Sequence, residues 1–231
     1  MIVQIPAQIY KSDSRGVFNS AKHNRFATFN FEHYQDLSRN GFGSLKTLNE
    51  VILAPQEHIT RFISSGTNLI LLPLFGGIEY KDNIGNEEFL RVDQIRVIAA
   101  DDDLEVEIFN PYDGENVSYL EIDFQMNSQY YKNYFQQYKF DITLHNKLNA
   151  LFEIEKAIGF IGIYDGRKEG FYTLKNAENG VFVFVILGAF EVENRLLEAK
   201  DGLGVKKIST IEWEALSENA ILLVMEVPLK S

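Results

Sequence analysis

A short pattern occurs twice in this chain. Leu74-Phe75-Gly76-Gly77-Ile78-Glu79-Tyr80 matches Ile186-Leu187-Gly188-Ala189-Phe190-Glu191-Val192 in character, 112 residues later. In both copies an apolar run ends in a turn and a new extended segment starts. A repeat at about half the chain length of 231 residues predicts two similar β domains in tandem. No long amphipathic helical pattern alternates with the strand candidates, which argues against a layered α/β fold.

The strand pattern runs through both halves. Phe26-Ala27-Thr28-Phe29-Asn30-Phe31 alternates aromatic with small or polar residues, the period of a strand. Leu45–Leu53, Asn68–Phe75, Ile78–Tyr80, Arg96–Ala100, Leu104–Phe109 and Val117–Gln125 extend the set. In the last of these Leu120, Ile122 and Phe124 share one face. Turn chemistry at 81–86 and at Asn110-Pro111 punctuates them. Lys11–Arg25 is polar and reads as loop. Asn127–Lys139 is rich in Tyr, Phe, Gln and Lys and reads as a short helix or a linker, and the domain boundary falls near Met126. The expected division is therefore 1–125 and 126–231. Lys147–Lys156 suits a helix or a strand. Gly159–Tyr164, Phe171–Leu174, Val181–Leu187, Phe190–Asn194, Lys206–Trp213 and Ala220–Val227 repeat the plan, with turns at 165–170, 201–204 and 217–219. Many short strands at regular spacing predict a sandwich or barrel.

Composition removes whole classes of function. The formal net charge of -11 argues against a nucleic-acid binder, which needs a surplus of Lys and Arg. The absence of Cys excludes disulfides, thiolate nucleophiles and Cys-ligated zinc, and fits a cytoplasmic location. Residues 1–10 lack the pattern of a signal peptide, and the longest apolar run, Val181–Leu187, is too short for a membrane helix.

Several residues and their order resemble the pirin-like proteins. Phe29-Asn30-Phe31-Glu32-His33-Tyr34, then Gly41-Phe42-Gly43-Ser44-Leu45 and Leu48-Asn49-Glu50, is similar to the start of that family. Glu79-Tyr80-Lys81-Asp82-Asn83-Ile84-Gly85-Asn86 resembles its hairpin, where a His commonly stands in place of Tyr80. Tyr164-Asp165-Gly166-Arg167, with Gly170, resembles a turn early in its second half. The resemblance covers most of the chain and implies an all-β bicupin. Two tandem cupin-type β-barrels, each a double-stranded β-helix, would be joined by a short linker.

In that family the N-terminal barrel holds iron or a similar divalent metal. The resemblance implies two His in a His-Pro-His stretch, then a His and a Glu spaced two apart on a later strand. Counting from the 82–86 turn, the first pair falls on Phe62 and Ser64; counting from Leu48-Asn49, it falls on Arg61 and Ile63. The second pair falls on Val106 and Ile108, and a one-residue slip gives Glu105 and Glu107 on the opposite face. Phe, Val and Ile carry no lone pair for a metal, and Ser is a poor ligand for a divalent transition ion. The expectation is a barrel with no metal and no cofactor. Its cavity would be lined near Phe62, Ser64, Tyr80, Val106 and Ile108, and would be open to a small apolar molecule or packed shut. A rebuilt metal site from Glu57, His58 and Glu79 is the alternative.

The remaining candidates have plainer explanations. The chain has four His, namely His23, His33, His58 and His145, and none pair at ligand spacing. His33 lies in an aromatic stretch with no marked base partner. Asp101-Asp102-Asp103 lacks the spaced oxygens of a calcium loop and reads as a turn. Gly76-Gly77 and Gly202-Leu203-Gly204 precede no helix and are not phosphate cradles. No nucleophile elbow occurs. Tyr130, Tyr131, Tyr134, Phe135 and Tyr138, with Lys132 and Lys139, suit packing between the barrels better than base stacking in so acidic a chain. The resulting expectation is a metal-free pirin-like protein that binds a small molecule or a protein partner, without nucleic acid, membrane or catalysis. The alternative is a quercetinase-type dioxygenase with a relocated metal.

Overall fold

The computed structural model describes residues 6–100, 102–125 and 134–229. Among them no α-helix occurs, and no helix is long and apolar enough to cross a membrane. The described residues fall into two compact units. One is drawn from Gly16–Lys139, the other from Met1–Arg15 together with Phe140–Lys230.

The first unit pairs a seven-stranded antiparallel sheet with a four-stranded one. In spatial order the larger sheet runs Tyr134–Lys139, Gln94–Ala99, Thr67–Phe75, Val117–Gln125, Leu45–Leu53, His23–Ala27, Gly16–Asn19. The smaller runs His58–Ile63, Leu104–Phe109, Ile78–Asp82, Glu87–Leu90. Side chains from both sheets, including Val51, Leu69, Leu71, Ile59, Val106 and Ile108, meet in one core.

The second unit repeats this plan with a six-stranded sheet and a four-stranded one. The larger runs Ala7–Tyr10, Gly202–Val205, Asn179–Leu187, Ala220–Pro228, Ala157–Tyr164, Lys147–Ile154; the smaller runs Glu169–Thr173, Thr210–Ala215, Ala189–Val192, Arg195–Glu198. Its core is built from Val181, Val183, Val185, Leu222, Val224 and their neighbours.

The sequence repeat is a true structural repeat. Both copies turn on a glycine in the left-handed region, Gly76 at φ 70° and Gly188 at φ 79°. A side chain is excluded at each for a second reason. A Cβ on Gly76 would lie 2.7 Å from Val117 Cγ1, and one on Gly188 would lie 2.3 Å from Ser217 Oγ.

Several expectations require correction. The 127–139 segment contributes no helix among its described residues; Tyr134–Lys139 is an edge strand paired with Gln94–Ala99. Lys147–Ile154 is a strand. The polar stretch assigned to loop contains the strand Gly16–Asn19 and the start of the strand His23–Ala27, and the strand expected over 26–31 ends at Ala27. The turn expected over 201–204 is largely the strand Gly202–Val205. At Gly202 aromatic rings take the space of a side chain: Tyr10 and Phe182 lie 5.4 Å apart, and a Cβ on Gly202 would lie 2.8 Å from Phe182 Cζ. The observed units also depart from the expected division into 1–125 and 126–231. Ala7–Tyr10 pairs with Gly202–Val205 and so belongs to the second barrel, while Tyr134–Lys139 completes the first.

Candidate functional site

The candidate site is the interior of the first barrel, and strand alternation decides which side chains reach it. Ile108 stands opposite Ile59 on one neighbour and Tyr80 on the other; Val106 stands opposite Arg61 and Asp82. Directly opposed residues share a face. Tyr80, Val106 and Ile108 therefore point inward, and all three are buried. Phe62 is opposed to Glu105 and points outward, 76% exposed. Ser64 lies beyond the strand end and is exposed. Of the five residues expected near the cavity, Tyr80, Val106 and Ile108 are packed in the barrel core, and Phe62 and Ser64 lie outside it. The inward positions on that strand belong to Arg61 and Ile63, the register obtained by counting from Leu48-Asn49.

Arg61 enters a charged wall contributed by the larger sheet. Its Nη2 lies 2.8 Å from Asp123 Oδ2 and its Nε 3.9 Å from Glu121 Oε2. Arg25 donates from Nη2 to Glu121 Oε1 at 3.3 Å, and its Nη1 lies 3.6 Å from the exposed Glu32. The Phe31 ring stands 4.9 Å from the Arg25 guanidinium and 5.2 Å from that of Arg61, within cation–π range. The pairing register puts the rest of the wall on the same face. Asn49 is opposite Glu121, Thr47 opposite Asp123, Val51 opposite Tyr119, and Arg25 opposite Val51.

Burial governs the protonation of this wall. It pushes the Asp123 carboxyl up, against the downward pull of Arg61. Burial, then the Glu121 charge, drives the Tyr119 hydroxyl well above its usual range. For Arg61 burial would lower the pKa, but Glu121 and Asp123 outweigh it and the net direction is upward. Both amide atoms of Asn49 and Arg25 Nε make no hydrogen bond within the protein, whereas Glu121 Oε2 and Arg61 Nε face each other at 3.9 Å, Tyr119 is tied to Glu121 and Asp123 to Thr47. Each buried atom left without a bond costs about 1–3 kcal/mol when nothing satisfies it.

On the other side of Val106 a second polar group is tied by hydrogen bonds. Tyr80 donates to Asp82 Oδ2, which also accepts from Asn86 Nδ2 at 2.7 Å; Asp82 Oδ1 accepts the backbone N–H of Asn86 at 2.8 Å and of Ile84 at 3.1 Å. The Arg96 guanidinium lies 5.0 Å from the Tyr80 ring centroid. Burial would raise Asp82, but the hydrogen bonds from Tyr80 and Asn86 hold it low, while burial and Asp82 push Tyr80 far up. These residues anchor the 82–86 turn.

The alternative metal residues do not converge. His58 is exposed with Nε2 4.0 Å from Glu107, and Glu57 pairs with Lys22 at 3.2 Å. Glu79 faces outward, separated from His58 by the intervening Phe109. Among the described residues no three His, Cys, Asp or Glu side chains form a group able to hold a metal ion. His33 packs on Phe18 with centroids 4.4 Å apart, and His145 pairs with Asp165 at 2.7 Å. Asp101 lies outside the described residues, and Asp103 accepts the Ser65 N–H at 3.2 Å. Of the aromatic cluster, Tyr130, Tyr131 and Lys132 and the side chains of Tyr134 and Phe135 lie outside the described residues; Lys139 pairs with Asp93 at 3.3 Å.

Among the described residues a groove of about 210 Å³ on the outside of the first barrel is lined by Phe62, Ile63, Ser64, Asn83, Leu104 and Glu105. A second, of about 310 Å³, is lined by Phe18, His23, Arg25, Glu32, His58 and Ile59, so it reaches the charged wall at Arg25. Burial, then Arg25, holds His23 below its ordinary pKa. A third, of about 500 Å³, lies on the second barrel beside Glu169, Phe171, Glu191, Glu212 and Glu214. There Arg167 pairs with Glu214 at 2.9 Å.

Sequence reasoning overlooked Arg25, Asn49, Tyr119, Glu121 and Asp123. The available signal was the second face of the Val117–Gln125 strand, where Tyr119, Glu121 and Asp123 alternate with the apolar face. The polar face of such a strand ordinarily meets water, yet Glu121 is 0% exposed.

Comparison with known proteins agrees with this architecture. Residues 156–227 match the family model of the quercetinase C-terminal cupin domain. A quercetin 2,3-dioxygenase of Escherichia coli strain K12 is 21% identical over 222 residues, covering 92% of this chain and 95% of that one. The crystal structure of YhhW from Escherichia coli superposes with a TM-score of 0.89 at 18% identity, covering 96% of this chain and 98% of that one. The bacterial pirin YhhW in complex with nickel(II) gives 0.88 at 18% identity, over 96% and 99%. GK1651 from Geobacillus kaustophilus gives 0.79 at 13% identity, over 99% of each chain.

Proposed function

We propose that this chain, which has the bicupin fold of the pirins and quercetinases, is a metal-independent small-molecule-binding or regulatory protein rather than a dioxygenase. The observation that carries this is Arg61. The resemblance to pirins implies four ligand positions inside the first barrel, and the inward residues at those positions are Arg61, Ile63, Val106 and Ile108. Three of them have no donor atom. The fourth is a guanidinium, which stays protonated and offers no lone pair to a metal. Glu121 and Asp123 are engaged by Arg25 and Arg61. This donor set does not fit a divalent ion.

The related proteins named for nickel(II) and for quercetin dioxygenation support a role for this fold in small-molecule chemistry. In the present chain the same interior supplies fixed charges and hydrogen-bonding groups instead. The groove at Arg25 is the route a ligand would take from solvent to that wall. A protein of this kind acts by occupancy, in the cytoplasm, through binding of a small molecule or of a protein partner.

The test is elemental analysis of protein purified without added metal, nickel titration, and oxygen uptake with quercetin. The expected result is substoichiometric metal, no saturable nickel binding and no oxygen uptake. A stoichiometric ion together with quercetin-dependent oxygen uptake would overturn the proposal. Loss of that ion in His58→Ala would assign it to a relocated site.

A further inference from the structure

We infer that the outer face of the smaller sheet in the second barrel docks an arginine-rich segment of a partner protein. The inference rests on the partner-binding side of the reading above and names the partner's chemistry. Its basis is where like charges stand. Glu214 is directly opposite Glu169 on one neighbouring strand and Glu191 on the other. In the next row Glu212 stands opposite Phe171, and its backbone N–H donates to Glu193 Oε1 at 2.8 Å. Like charges directly opposed across strands destabilise a sheet. The first barrel avoids this at the equivalent positions. There Lys81, the counterpart of Glu193, stands between Glu107 and Glu87, and His58 and Phe109 occupy the places of Glu169 and Glu214. The acidic rows are therefore a property of this one face and not of the strand plan that the two barrels share.

Charge and exposed apolar surface together select the occupant. The rows border the groove of about 500 Å³, which takes in Glu169, Glu191, Glu193, Glu212 and Glu214. Arg167 pairs with Glu214 at 2.9 Å and Arg195 donates to the Glu193 carbonyl at 2.7 Å, which leaves an acidic surplus. The carboxylates are spread over neighbouring strands, and among the described residues no group of them can hold a metal ion. Phe171 is 68% exposed, and Leu196, opposite Glu191, is 59% exposed. A ring and an aliphatic chain set among carboxylates fit a polypeptide better than a bare cation. Arginine suits both parts, since its planar fork meets a carboxylate and its face stacks on a ring. The Arg167 side chain on Glu214 is an example of that pairing at this face. A second copy of the chain, with a formal net charge of -11, would bring charge of the same sign. Charge complementarity therefore favours a basic partner, with Phe171 and Leu196 as its apolar contacts.

Calorimetric titration of the full chain with a soluble arginine-rich peptide carrying interspersed leucines tests this, with spermine as the bare polycation. Saturable peptide binding is expected, weakened about tenfold by Glu191→Gln combined with Glu212→Gln and several-fold by Phe171→Ser. Glu87→Gln combined with Glu107→Gln removes as much charge from the first barrel and should leave binding unchanged. The Glu191 and Glu212 double variant should melt no lower than the native chain, because it relieves opposed charges; a lower melting temperature overturns the charge argument. Absence of peptide binding overturns the inference, as does binding that the first-barrel variant weakens equally. Spermine binding as tight as the peptide's and insensitive to Phe171→Ser overturns the protein assignment. A dimer in sedimentation that Phe171→Ser breaks assigns the face to a second copy and also overturns it. A stoichiometric metal with quercetin oxidation removes the parent reading itself, whereas failure of the peptide alone leaves that reading standing.

Discussion

The two barrels share a strand plan but not an interior, and the sharpest contrast lies at equivalent positions. Leu69 opposes Asp123 in the first barrel as Val181 opposes Glu226 in the second, so the two carboxylates correspond. Val106 opposes Arg61 as Ile211 opposes Tyr172, so Arg61 corresponds to Tyr172. The first barrel joins its pair as an ion pair at 2.8 Å, the second as a hydroxyl–carboxylate hydrogen bond at 2.6 Å. Around them the environments diverge. Glu226 accepts further hydrogen bonds from Asn179 Nδ2 at 2.8 Å, Lys175 N at 2.8 Å and Asn176 N at 2.9 Å. Asn49, Tyr119 and Glu121 correspond to Phe160, Leu222 and Val224, which pack as hydrocarbon and ring. One barrel has saturated its buried carboxylate and filled the rest with apolar side chains. The other keeps a row of polar and charged side chains. A stability role explains the first arrangement; the second is a network of ion pairs, Arg61 with Asp123 and Arg25 with Glu121.

The largest expected effect falls on the saturated carboxylate. Glu226→Ala strands the Tyr172 hydroxyl, the Asn179 amide and two backbone N–H groups, and denaturant unfolding should show a loss of about 4 kcal/mol. Arg61→Met leaves Glu121 and Asp123 short of a counter-charge, and a loss of about 3 kcal/mol is expected at pH 7. The double change Arg61→Tyr with Asp123→Glu installs the second barrel's pair in the first and should recover more than half of that loss. If it recovers nothing, the two positions are not physically equivalent.

Gly188→Ala should cost about 2 kcal/mol, because it forces both a left-handed backbone and a collision with Ser217. The corresponding Gly76→Ala meets the Val117 methyl instead, and thermal melts of the two variants compare the turns directly.

Smaller effects probe the polar wall by pH. Burial and Glu121 raise the Tyr119 pKa, so the folded form keeps a proton that the unfolded form loses near pH 10. That contribution is present below pH 10 and is lost as pH rises beyond it. Tyr119→Phe should therefore flatten the alkaline decline by at most about 1.4 kcal/mol per pH unit. Leu222→Ile, at the equivalent position of the second barrel, should leave the slope unchanged. Last, Phe62→Ser on the outer face should shift stability by no more than about 0.5 kcal/mol. A larger loss would mean that Phe62 packs inward after all.

Much of the fold was legible because the signals were local. Gly76 and Gly188 mark turns by their own backbone needs, and alternation in Leu104–Phe109 marks a strand from six residues alone. The site was less legible. Arg61 and Phe62 are neighbours in sequence, and a one-residue difference in register decides which of them enters the barrel. Glu121 and Asp123 share a strand with the apolar face of Leu120, Ile122 and Phe124, and nothing local to the strand marks its second face as buried too.

By itself the amino-acid sequence determined the β class, the tandem repeat and the glycine-turned hairpins, since each rests on preferences spanning a few residues. The tertiary structure alone decided that Ala7–Tyr10 joins the second barrel, that Tyr134–Lys139 closes the first, and that Arg61 meets Asp123 inside it. An edge strand and an ion pair are completed by groups distant in sequence. Their partners are chosen by burial and register, which no local pattern encodes.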